Sequence, residues 1–179
     1  MVTRDNGSKD FPDRMSWEWL TGQPNTNTAG VYKPQVKAIY SDNSSNTTTA
    51  TLIVKPKKPE IKTSVANKKG LTGQEITVNV GSGVPKGSTV NLYDGNKIIG
   101  TVKTTGGETT TVRVTEALPG NPITAETVVT NNNGIVTSDK SNPVTPTEAP
   151  DNQPPTLTIS SPSQTVEEGK EVTFTLTAT

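Results

Sequence analysis

The sequence predicts an all-β chain built of antiparallel sandwich units. Three observations carry this. The first is a hairpin over Ser88–Lys103, in which Val90 and Leu92 alternate with Thr89, Asn91 and Tyr93. A strand with one buried face requires that period of two. Its turn holds Asp94, Gly95 and Asn96, residue types that tolerate the positive φ of hairpin turns. Ile98, Gly100 and Val102 then return on the same face. The second observation is that both flanks repeat this grammar, with short runs of Val, Ile and Thr divided by Gly, Asn, Asp and Pro. The third is that no stretch carries a helical period.

Composition narrows the class. Of 179 residues only 28% are hydrophobic and 4% aromatic, but Lys plus Arg (17) balance Asp plus Glu (17). Disorder goes with high net charge and unpatterned apolar residues. Zero net charge with Val and Ile at strand spacing fits thin β-domains with polar outer faces instead. A balanced charge also argues against nucleic acid, which needs a concentrated basic face. The one basic cluster, Lys55, Lys57 and Lys58 beside Pro56 and Pro59, reads as a solvated linker. No Cys is present, so no disulfide framework is expected; Gram-positive surface proteins and cytoplasmic proteins share that trait. No apolar run is long enough for a membrane span, so no membrane insertion is expected in this segment. The start, Met1 to Asn6, is polar rather than a signal peptide. An exported protein would contain this chain as an excerpt.

Taken in order, Met1–Arg14 is polar and expected to be ragged. Met15, Trp17 and Trp19 share one strand face. Gln23–Gly30 is a loop, Val31–Tyr40 a strand, Ser41–Asn46 a turn and Thr47–Val54 the returning strand. Lys55–Pro59 is a semi-stiff linker, because Pro restricts the backbone to extended shapes. Seven strands follow: Glu60–Val65, Glu75–Val80, Thr89–Tyr93, Ile98–Thr104, Thr109–Val114, Ile123–Thr130 and Ile135–Thr137. Many short strands with regular turns argue for a sandwich. Its expected core is Ile61, Ile76, Val78, Val90, Leu92, Ile98, Val102, Val112, Ile123, Ala125 and Val129. Ser141–Pro155 reads as a second, Pro-rich linker. Beyond it come Leu157–Ile159 and an alternating run with Val172, Phe174, Leu176 and Ala178 on one side. Two strands cannot bury that face alone.

These residues carry family resemblances. Trp17–Trp19, Pro24–Thr26, Ala29–Tyr32, Val36–Ser44 and Ala50–Val54 together resemble the C-terminal part of a Rib-type repeat of Gram-positive surface proteins. The family's Tyr-Pro-Asp-Gly-Ser turn is here Tyr40, Ser41, Asp42, Asn43 and Ser44, so its Pro and Gly are replaced. Val84–Gly95, Ile99–Val102, Ile123–Ala125 and Asn132–Ser138 resemble a bacterial Ig-like domain of long surface adhesins. The departure there is Thr109–Thr111, where the family carries an aromatic. The last segment resembles the opening of another Ig-like or cadherin-like domain. The resemblance implies tandem Ig-like sandwiches with partial ends: 1–55 a partial Rib-like domain, 56–148 an Ig-like sandwich, 149–179 a linker and the first strands of a truncated domain.

Chemistry-bearing positions are few. Without Cys or His, thiol catalysis, imidazole bases and the usual zinc sites are excluded. A Ser-Lys or paired-carboxylate arrangement is the chemistry left, and Ser88 with Lys86 is one candidate, in a loop of turn-formers. No enzymatic role and no cofactor is expected. Asp42, Asp94, Asp139 and Asp151 sit in turns or linkers, where oxygen ligands can bind calcium. Asp94 and Asp151 are the calcium candidates, and turn or cap roles are the plainer reading. Trp17 and Trp19 are candidates for a sugar or protein contact, with core packing as the other reading. An internal Lys–Asn isopeptide bond is known in adhesins the chain resembles, but the sequence pairs no residues for it. Asn6, Asn43 and Asn46 match the Asn-x-Ser/Thr pattern.

By resemblance, the chain is expected at the Gram-positive cell-wall surface. The expected role is a stalk that projects a distal adhesive region, with neighbouring domains of the same long chain as partners. Two other readings are a unit that itself binds a host matrix protein or glycan, and an accessory module of a secreted glycan-degrading enzyme.

Overall fold

The computed structural model describes residues 15–160 and 162–178. The polar stretch 1–14, with Asn6, and Thr179 lie outside the described residues. No helix is present among the described residues. Two compact units divide at Glu148 and Ala149.

The first unit opens with β1 (Ser16–Trp19), β2 (Gly30–Tyr32), β3 (Gln35–Ile39), β4 (Ser45–Thr49) and β5 (Leu52–Val54). The sequence pattern reads Val31–Tyr40 and Thr47–Val54 as two long strands; each is broken in the middle. Pro34 is the cause on one side, since it has no N–H to give a ladder. Its carbonyl still accepts from Ala50 N–H at 2.9 Å, which fixes the opposite break. One long hairpin is thereby split into two. The distal part is a three-stranded sheet ordered β1-β3-β4, and the proximal part is the two-stranded ladder β2-β5. The distal turn closes with Tyr40 N–H to Ser44 O, and Asn43 takes φ 64° there.

Next come β6 (Glu60–Ile61), β7 (Gln74–Asn79), β8 (Thr89–Asp94), β9 (Lys97–Lys103), β10 (Thr109–Val114), β11 (Ile123–Asn131) and β12 (Gly134–Thr137). They form an antiparallel sandwich of a three-stranded sheet, β10-β7-β6, and a four-stranded sheet, β12-β11-β8-β9. The first expected strand shrinks to two residues because Thr77 N–H is taken by the Thr63 hydroxyl, and the side chain replaces the ladder. Ile76, Val78, Val90, Leu92, Val112, Ile123, Ala125 and Val129 are buried as their alternation requires, and Ile61 lies at the edge of the same cluster. Val65, Val80, Val84, Val114, Leu118 and Val136 join them.

Ile98 is the exception: it is 50% exposed. Leu92 pairs with Gly100 but Tyr93 pairs with Ile98, so Ile99 is an extra residue in β9. A bulge of this kind reverses the facing of everything beyond it. Ile99 packs on the core instead, with Val102 half-buried beside it.

Ser141–Thr147, expected as linker, belongs to the sandwich. β11 runs on past the end of β12, and two serine hydroxyls take over as its partners. Thr127 N–H donates to Ser138 Oγ at 2.9 Å and Ala125 N–H to Ser141 Oγ at 2.8 Å. Val144 and Ile123 then exchange both backbone bonds, and Pro146 is fully buried. Pro content marks a linker only where the prolines stay in water. Thr127 itself is completely buried, and its own hydroxyl has no hydrogen-bond partner among the described residues. Thr127→Val removes a buried, unsatisfied polar atom at nearly constant shape. It should raise stability by about 1–2 kcal/mol, read from urea midpoints at unchanged slope.

The second unit holds β13 (Leu157–Ser160) and β14 (Thr175–Ala178), paired antiparallel with Ile159 opposite Leu176. Leu157, Phe174 and Leu176 are exposed, as expected for a lone ladder.

Candidate functional site

Two places in the first unit merit a functional reading. One is the seam between the split hairpin and the sandwich. Ala29 and Val31 are buried in the same cluster as the sandwich core. Ala29 N–H donates to Gly83 O at 2.8 Å. The Val31 carbonyl accepts from the side-chain amides of both Asn131 and Asn133, at 2.9 and 3.1 Å. Gly83 (φ 84°) lets its chain pass so close that a Cβ there would sit 2.3 Å from Asn27 O.

The Lys55–Pro59 run completes the seam. Its three lysines are exposed, but Pro56 and Pro59 are buried. Lys55 Nζ pairs with Asp139 Oδ1 at 2.6 Å, and Lys58 Nζ donates to Asn142 Oδ1 at 2.7 Å. The hydrogen bond and charge of Lys55 hold the Asp139 carboxyl below the usual carboxylate range. The seam was invisible locally. Its signal is a pair of Asn side chains at one turn: Asn131 Oδ1 accepts from Asn133 N–H, and both side-chain NH2 groups are left to reach Val31 O.

The other place is a groove on the distal sheet. Trp17 and Trp19 meet edge to face, centroids 5.9 Å apart at 87°. Trp17 is 39% exposed and Trp19 is half-buried; neither belongs to the buried core. They line a hollow of about 500 Å³ with Gln23, Pro24, Thr51 and Leu52. Val36, opposite Trp19 on β3, is buried beneath them.

The carboxylates disperse. Asp42 Oδ1 accepts from the amide and the hydroxyl of Ser44, and those two hydrogen bonds lower its pKa. Asp94 closes β8 opposite Lys97. Asp151 caps its own turn through Gln153 N–H. No group of three metal-ligating side chains occurs among the described residues. Ser88 is buried, with its hydroxyl donated to Pro85 O at 2.7 Å rather than directed at Lys86. Lys58 and Asn142 meet, but as an exposed hydrogen bond. Asn43 and Asn46 are exposed at the distal turn.

No protein-family model matches the chain. It is 28% identical over 166 residues, 87% of its length, to the extracellular matrix-binding protein ebh of Staphylococcus aureus (strain MW2). The chain spans about 2% of that relative's length. Among solved structures, the BSP domain of a biofilm associated protein aligns at TM-score 0.39 and 22% identity, over 70% of this chain and 20% of that one. No helix is long and apolar enough to cross a membrane among the described residues. The chain resembles repeats of Gram-positive surface adhesins.

Proposed function

We propose that the chain is a non-catalytic spacer segment of a cell-surface adhesin, holding a distal binding region away from the wall. The observation that carries this is the seam. A joint made of Pro-rich linker alone would leave two small domains free to bend. Here a strand of one part is built into the core of the other, and Val31 O is held by two amides. Such a joint transmits load and keeps reach. The matrix-binding name of the staphylococcal relative supports the surface setting. Neighbouring domains of a longer chain are then its constant partners.

Absence of Cys makes the test clean. Spin labels at Ser45→Cys, near the distal turn, and Thr115→Cys, just beyond β10, report the distance across the seam. One narrow distribution is expected, broadened by Asn131→Ala with Asn133→Ala. A broad distribution in the otherwise unaltered chain would overturn the spacer reading.

A second reading, contact with a matrix protein or glycan by the first unit, is favoured by the exposure of Trp17.

A further inference from the structure

We propose that the distal groove is a binding site for a neutral oligosaccharide. This rests on the second reading above and names the ligand's chemistry. The groove is longer than the tryptophan hollow alone. A neighbouring hollow of about 330 Å³ shares Gln23, Pro24 and Pro34 with it and brings in Tyr32 and Asn25. Another of about 330 Å³ shares Trp17 and brings in Tyr40 and Asn46. The three hollows thus adjoin through shared walls, with an aromatic ring at each. The chain has two Trp and three Tyr, and all but Tyr93 line this one track.

Charge decides the ligand class. Among the described residues lining the three hollows only Lys33 is charged, and its Nζ is donated to Thr51 Oγ1 at 2.6 Å. The charged pair of this sheet, Glu18 and Lys37, has the opposite parity to the tryptophans and lies on the other face. An anionic polysaccharide would find no cationic rail here, and a basic peptide no carboxylate. What the track offers is ring faces for stacking, with the Gln23 amide, the Asn25 and Asn46 amides and the Thr26 and Thr51 hydroxyls at its sides. A pyranose presents a C–H face and a rim of hydroxyls, which need those two kinds of partner. Sites of this size hold ligands of one to a few rings.

Both tryptophans of the chain lie in the groove, so their emission reports binding directly. The full chain is titrated with chitotriose, cellotriose and maltotriose, with heparin fragments and with fibronectin. Saturable change with a neutral trisaccharide, and none with heparin, is expected. Trp17→Ala should weaken it about tenfold or more, the loss of one stacking contact. Gln23→Ala, which leaves the sheet untouched, should weaken it about threefold, the loss of one neutral hydrogen bond. Failure of all three sugars overturns the proposal. So does preference for heparin, or emission that shifts with protein concentration as a dimer forms through this face. Fibronectin binding without sugar binding overturns the proposal while leaving the second reading standing, and the spin-label distances bear on neither.

Discussion

Leu92→Ala is expected to cost about 4–5 kcal/mol, the top of the range for a buried Leu truncation. The reason is the company Leu92 keeps. It is fully buried at the middle of β8, paired with Ala125 on one side and Gly100 on the other. Both cross-strand neighbours are small, so Leu92 supplies most of the side-chain volume at this level of the sheet. Gly100 has no room of its own: a Cβ there would meet Val112 Cγ1 at 2.8 Å. Truncating Leu92 therefore leaves a cavity whose walls cannot lean in, and cavity volume that stays open is what separates a costly truncation from a mild one. The rest of the core gives little margin. It is mostly Val, with no aromatic among the described buried residues, and small domains of this kind hold about 5–15 kcal/mol in total. Urea unfolding followed by β-sheet dichroism measures the loss. A cost below about 2 kcal/mol would mean that the sheets close over the gap.

The same residues show how much of the fold was legible in sequence. Strand positions from Gln74 to Thr137 follow from alternation and turn chemistry because each strand has one wet face and one dry face, and that contrast is written in every second residue. What alternation cannot give is a place where the period fails. The bulge that turns Ile98 outward leaves Ile98 and Ile99 as two equal aliphatics side by side, with nothing local to choose between them. Nor does it give side chains that stand in for backbone. Ser138 and Ser141 read as loop residues, yet their hydroxyls complete the ladder of β11. The split of the first hairpin was written plainly at Pro34 and was masked by the strand-like alternation beyond it, with Val36, Ala38 and Tyr40 on one parity.

The candidate site divides in the same way. Shared parity placed Trp17 and Trp19 on one face, which the structure keeps. Their association with Tyr32 and Tyr40 depends on how the loop and the split hairpin fold over, which no local pattern encodes. The turn carboxylates Asp42 and Asp151 are engaged within their own turns, and Asp139 with Lys55 across the seam.

Gly83→Val is expected to separate the two parts of the first unit. The loop Gly81–Gly87 reads in sequence as a run of chain breakers, any of which would serve a turn. At Gly83 two demands coincide. Its φ of 84° is strained for a β-branched residue, and its missing Cβ is the space through which the Asn27 carbonyl passes. The contact is with backbone, so no rotamer change relieves it. Either the loop moves or the Asn27–Ala29 segment does, and both lose the Ala29 N–H to Gly83 O bond. Together the strain and the clash should cost about 2–5 kcal/mol. The cost should fall on the seam before the sandwich, because Gly83 lies outside its strands. Hydrogen exchange separates the cases: the Ala29 amide should lose protection while Val90 and Val112 keep theirs. Equal loss at all three would mean that seam and sandwich unfold as one cooperative unit. Retention at Ala29 would mean that the loop yields instead and that the seam does not depend on this glycine. In the expected case the spin-label distribution across the seam should broaden as well, so that one substitution converts the rigid spacer into a jointed one.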